Sequence, residues 1–265
     1  MKKHIPTEFV FQMAALLIAV IFVHAFYVAV VRPNAAAIIE EQQIQIEDNP
    51  DYVPERSFFV IIRDFEQESC FVLMLWALSI LGYKAYAASL ERALLQQDLV
   101  PIAEGMRILP EDTREYARQI QALPEDEKGM LLPRVLLSAL QRFGATRNVQ
   151  DVSSSAHTLV ESEAERLESE LSMIRYIAWA IPSIGFIGTV RGIGAALGQA
   201  HRAVEGDISG VTQNLGVAFN STFIALLLSI VLMFLVHQLQ LMQERLVFET
   251  ETYTDDHLIR HLQSG

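Results

Sequence analysis

The chain has 265 residues, 51% of them hydrophobic and 20% charged, with a formal net charge of −12. Its mean hydropathy is nevertheless positive, so apolar and charged residues must be segregated along the chain, which excludes a soluble globular enzyme as the default. The acidic balance argues against nucleic acid as a partner, and the single cysteine, Cys70, against a disulfide framework or a cysteine-based zinc site.

Four stretches are almost free of charge: residues 9–31, 69–88, 173–199 and 215–239. Each matches the ~20 residues that a helix needs to cross a bilayer. The expected fold is an all-α integral membrane protein with four transmembrane helices and a helical cytoplasmic domain between the second and third. The first stretch, within an N-terminal segment 1–32, is longer than the ~7–15-residue apolar run of a signal peptide, so it is read as a retained span. Placing Lys2 and Lys3 inside puts most basic residues on the same side and leaves only Arg32, Arg56, Arg63 and Arg202 outside. That asymmetry follows the positive-inside tendency and predicts that both termini are cytoplasmic.

Residues 33–68 read as an acidic outer loop, with Glu40, Glu41, Glu47, Asp48, Asp51 and Glu55. Its short apolar patch, Phe58–Ile62, is expected to lie at the membrane interface. The second span, 69–88, is strongly apolar only from Cys70 to Tyr83 and ends at Lys84, whose ammonium is expected to snorkel to the inner headgroups.

Residues 89–172 are punctuated by Pro101, Pro110, Pro124 and Pro133. Proline at this spacing cuts helices short, and Pro-Glu-Asp at 110–112 and 124–126 suits the first turn of a helix, where the missing amide is harmless and the dipole favours acids. Several short helices are predicted. From about Val149 the apolar residues Val160, Ala164, Leu167, Leu171 and Ile174 recur at spacings of four and three, while Glu161, Glu163, Glu165, Glu168 and Glu170 occupy the other faces. This predicts an amphipathic helix with a solvated acidic face, running into the third span.

Residues 173–241 hold the third and fourth spans, followed by a cytoplasmic tail, 242–265. In the third span Gly185, Gly188, Gly192 and Ala196, with Thr189 beside them, share one side of the helix. In the fourth, Ala218, Ser221, Thr222, Ala225 and Ser229 recur at helical spacing. Two readings stay open from spacing alone: close packing of small residues, or two stripes facing a conduit or a foreign helix. Pro182 removes a backbone hydrogen bond and marks a kink or hinge. Arg191 is read either as snorkelling to the outer interface or as lining a conduit. His24 and His237 are read as packing or interface residues before proton relays.

The run Pro182-Ser-Ile-Gly-Phe-Ile-Gly-Thr-Val-Arg-Gly-Ile resembles the third-span signature of the MotA/TolQ/ExbB proton-channel family, Pro-x-x-Gly-Leu-x-Gly-Thr-Val-x-Gly. The run Ala218-Phe-Asn-Ser-Thr-Phe-Ile-Ala-Leu is similar to that family's last-span pattern, Ala-Leu-x-x-Thr-x-x-Gly-Leu. The two cover about residues 161–240. The resemblance implies an ion-channel subunit of a motor or stator driven by ion-motive force in a bacterial inner membrane. It further implies a homo-oligomer, a pentamer, around two single-span MotB/TolR/ExbD-like partners that carry a membrane aspartate. Thr189 and Thr222 correspond to the family's pore threonines, with Ser221 and Asn220 beside them in the ion pathway. Pro182, Gly185, Gly188, Gly192 and Ala225 would serve packing and the kink, and Arg191 the pore mouth or interface.

Phe186 and Phe219 replace leucines of the pattern, Ala225 replaces a glycine, and Arg191 takes a usually apolar position. Four spans match the flagellar-stator branch, but the long outer loop does not, so the subfamily stays open. No enzymatic motif, cofactor or metal-ligand cluster is read. The apolar stretches contain no Asp or Glu, so a proton carrier is expected from another chain. The alternative is a non-conducting membrane scaffold or signalling protein whose stripes merely pack.

Overall fold

The computed structural model describes residues 7–49, 52, 55–102 and 106–263. Lys2 and Lys3, used for the topology, and Asp51 of the acidic loop lie outside the described residues, and so does the side chain of Glu47. Apart from an isolated bridge between Ile108 and Leu262, the described residues are helical or irregular. Four helices are long and apolar enough to cross a membrane: Glu8–Ile46, Phe65–Leu94, Val149–Gly198 and Ser209–His261. The chain divides into two compact units, Met1–Leu81 with Met173–Val236, and Gly82–Ser172 with His237–Gly265.

In the first unit α1 (Thr7–Phe26) does not stop where the acidic segment begins. It widens into a π-turn over Tyr27–Val31 and continues as α2 (Arg32–Asp48). The cause is Pro33, which lacks an amide; a π-turn just before it lets the helix absorb the lost bond instead of breaking. The first part of the expected loop is therefore helix. Helix α3 (Phe58–Ile62) follows, and its Ile62 is buried with Val23, Tyr27, Val31 and Ile224. Ile61 and Ile62 of this patch pack on the spans, while Phe58 stays exposed. Helix α4 (Phe65–Leu94) begins four residues before the apolar stretch, so Glu66 and Glu68 stand in its first turn, where the dipole favours acids.

In the second unit three of the four prolines stand at or shortly before helix starts, while Pro101 lies in irregular chain and Pro110 is three residues ahead of its helix. Pro110 precedes α5 (Thr113–Gln121), Pro124 caps α6 (Glu125–Lys128), and Pro133 sits in the first turn of α7 (Leu131–Thr146). Helix α7 packs on α8 (Val149–Glu170), whose start is capped by Asn148 Oδ1 accepting from Gln150 N at 2.9 Å. Tyr253, Leu258 and Leu262 join Leu136, Leu140, Phe143 and Val152 in one core, so the C-terminal tail is a core element of this unit.

Two expectations change here. Lys84 is buried and donates to Glu170 Oε2 at 2.8 Å instead of snorkelling. Glu163, expected on a solvated face, is buried and held by Arg134 at 3.3 Å and by Arg166. A charge so placed is stable only while paired.

The chain then enters α9 (Ser172–Gly198), separated from α8 by Leu171 alone, and continues through α10 (Ala200–Val204) to α11 (Ser209–His257).

Candidate functional site

The two small-residue stripes face each other. A Cβ added at Gly185 would collide with Ala225, one at Gly188 would stand 2.5 Å from Ser221 Cβ, and one at Gly192 would stand 2.7 Å from the Ala218 amide nitrogen. Any side chain there would force α9 and α11 apart. The two stripes thus pack closely on each other within the chain. The bulky residues Phe186, Ile187, Phe219 and Phe223 point away, all exposed.

Thr189 and Thr222 meet in this seam. Their hydroxyls are hydrogen-bonded to each other, and the seam also offers them backbone carbonyls: Thr189 Oγ1 to Ala218 O at 3.1 Å and Gly185 O at 3.3 Å, and Thr222 Oγ1 to Gly185 O at 3.2 Å. Two hydroxyl protons serve this set, so one threonine donates to the other while the other donates to a carbonyl. Ser221, beneath Gly188, returns its hydroxyl to Val217 O at 2.8 Å. Asn220 is not beside the pair. At 100° per residue it lies on another side of α11, in a groove with Gln42, Arg63 and Asp64.

Pro182 lies inside α9, where its missing amide leaves the Ala178 carbonyl without its helical partner. Ser229 Oγ of α11 donates to that carbonyl at 3.0 Å. A residue read only as the end of a small stripe thus fills the gap in the neighbouring helix. That pairing depends on register between two helices and carries no sequence signal.

Arg191 is a bidentate partner of Glu66, with Nε to Oε1 at 2.6 Å and Nη2 to Oε2 at 2.7 Å. The stem of Glu66 also covers α9, since a Gly188 Cβ would stand 3.1 Å from Glu66 Cγ. Glu66 of α4 therefore stands beside Gly188, the residue before Thr189 of the seam. Glu68, 8% exposed, accepts His24 Nδ1 at 2.7 Å and also pairs with Arg32. Sequence reasoning missed both acids because it began the span at Ser69; the signal was Glu66 and Glu68 immediately ahead of the apolar run. The apolar stretches themselves contain no Asp or Glu, but Glu66 and Glu68 stand directly ahead of the second one, and His24 has Glu68 as a carboxylate partner.

This fold and site define a multi-pass helical membrane protein with a tightly packed, hydroxyl-bearing seam flanked by paired charges. Residues 128–252 match the model of the MotA/TolQ/ExbB proton channel family, and this region contains both motifs and the whole seam. The family is a channel family and not an enzyme family. No curated protein and no solved structure matches the chain.

Proposed function

We propose that this chain is the ion-conducting subunit, for protons, of an ion-motive-force-driven envelope motor or stator complex in a bacterial inner membrane. Five copies surround two single-span MotB/TolR/ExbD-like partner helices with a membrane aspartate, and both termini and residues 89–172 face the cytoplasm. The observation that carries this reading is the family match over residues 128–252, within which Thr189 and Thr222 are brought together across α9 and α11. Conduction requires the pair to exchange its mutual hydrogen bond for one to water or a partner carboxyl, which costs little because hydroxyls rotate freely between acceptors. Ser221 supports the seam from beneath Gly188, Asn220 lies on the approach groove, Pro182 is the hinge, and Arg191 sets the charge at one end.

The mutual closure of the two threonines favours a second reading, a non-conducting scaffold in which the hydroxyls only tie helices together. One experiment separates the two. The chain is co-expressed with a single-span partner from a neighbouring reading frame, and proton flux is measured at matched membrane levels. The channel reading expects flux that is lost when the partner's aspartate becomes asparagine and reduced in Thr222→Val, which keeps shape and removes the hydroxyl. Unchanged flux in Thr222→Val rejects the pore assignment.

A further inference from the structure

Asp64 sits between α3 and α4, where the helical bonding of α4 begins: Glu68 N donates to Asp64 O at 3.1 Å. Its Oδ1 faces two cations, Arg63 Nε at 3.9 Å and Arg191 Nη2 at 4.0 Å. Its Oδ2 is buried with no hydrogen-bond partner among the described residues. Two neighbours share this condition. Tyr27, 2% exposed, has an unpartnered hydroxyl within electrostatic reach of Asp64 and Glu68. Gln67, fully buried, spends Nε2 on Ile61 O at 3.0 Å and leaves Oε1 unpartnered. Buried polar atoms in folded proteins are as a rule bonded to protein or to ordered water.

The other charges nearby are committed. Glu66 is held by Arg191, and Glu68 by Arg32 and His24. Helix α11 faces Asp64 with neutral groups only, among them Gln213 and Asn220. A groove of about 340 Å³, lined also by Gln42, Gln43 and Arg63, opens to Asp64. Of the three acids, Asp64 alone both lines this groove and keeps an oxygen without a hydrogen-bond partner among the described residues. Burial pushes its carboxyl above the usual carboxylate range, against the opposing pull of Arg63 and Arg191.

We propose that Asp64 is a proton-loading carboxyl of this chain, taking up a proton at Oδ2 from water in the groove. An O–H bond of hydronium breaks, the Oδ2–H bond forms, and water is left; release reverses the step. Arg63 and Arg191 face Oδ1, which leaves Oδ2 to take the proton. This role rests on the channel reading.

The test has two arms. In the purified chain in lipid bilayers, with 13C-labelled aspartate, infrared spectra are recorded across a pH titration. A protonated aspartic carboxyl band titrating above the usual range is expected in the wild type, absent in Asp64→Asn and present in its glutamate form in Asp64→Glu when glutamate is the labelled residue. In the partner-loaded complex, Asp64→Asn is expected to lose most flux and its pH dependence, and Asp64→Glu to retain both. A band unchanged in Asp64→Asn, or an unchanged flux profile in that variant, overturns the proposal. Retention of helical circular dichroism and of detergent-extracted size guards against misfolding. A wild-type complex without flux rejects the channel reading itself, while the band still decides whether Asp64 takes up a proton.

Discussion

Placing the same methyl group at two glycines of α9 tests the seam directly. At Gly192 an alanine Cβ would stand 2.7 Å from the Ala218 nitrogen and 2.8 Å from Ala218 Cβ and Asn214 O, so mostly backbone atoms are in the way. Restoring a ~3.5 Å contact needs a retreat of roughly 0.8 Å between two helices, and overpacking of this kind costs about 1–3 kcal/mol. Replacing a mid-helix glycine returns about 0.5–1 kcal/mol, which leaves a net destabilisation on the order of 1–2 kcal/mol. At Gly194 an added Cβ meets nothing within 4 Å. There the helix term stands alone, and Gly194→Ala is expected to stabilise by about 0.5–1 kcal/mol. The two variants should thus differ by about 2 kcal/mol, roughly 30-fold in the unfolding equilibrium. Reversible unfolding in mixed micelles, followed by circular dichroism, reads this difference. Equal stability of Gly192→Ala and Gly194→Ala would refute the tight packing of α9 on α11.

Ser229→Ala should destabilise the fold by about 0.6 kcal/mol, the usual worth of an interhelical hydrogen bond in membrane proteins, because the Ala178 carbonyl then loses its donor; the same micelle assay checks it, and Ser229→Thr, which keeps the hydroxyl, should be milder. Arg191→Lys should retain more function than Arg191→Glu, since the acid would face Glu66 and Asp64; the double change Arg191→Glu with Glu66→Arg should recover part of the loss in a complementation assay, and no recovery would argue that the pair acts through something other than its mutual charge. Asp207 caps the start of α11, accepting Ser209 N at 3.1 Å and the Ser209 hydroxyl, which hold its carboxyl below the usual range. A lowered folded value means that the cap stabilises above the ordinary aspartate range and is lost as pH falls through the depressed value. Hydrogen exchange at the first turn of α11 should therefore show opening faster than the intrinsic rate change explains only at strongly acid pH, and Asp207→Ala should remove that dependence.

Membrane class, span number and helix-starting prolines were legible in the sequence because each depends on composition or local backbone chemistry. A run of apolar residues long enough to cross a bilayer needs no partner to be recognised, and Pro124 starts a helix wherever the chain places it. The family was legible for a related reason: the glycines and threonines of α9 and α11 stand at fixed spacings in one continuous segment each. Tertiary structure alone decided what those residues touch. Gly185, Gly188 and Gly192 could have faced lipid, a conduit or another helix, and the choice of Ala225, Ser221 and Ala218 depends on the register of two helices that no local pattern encodes. The same holds for charge. Lys84 was expected to snorkel because it ends an apolar run, and Glu163 to be solvated because it belongs to an acidic helix face, yet partners 86 and 29 residues away allow their burial. Glu66, Glu68 and Asp64 looked like the end of an acidic loop. Starting α4 at Phe65 and packing it beside α9 turns them into buried, paired or unpartnered groups, because ionisation and burial are settled by the distance to the nearest opposite charge, which only the folded chain sets.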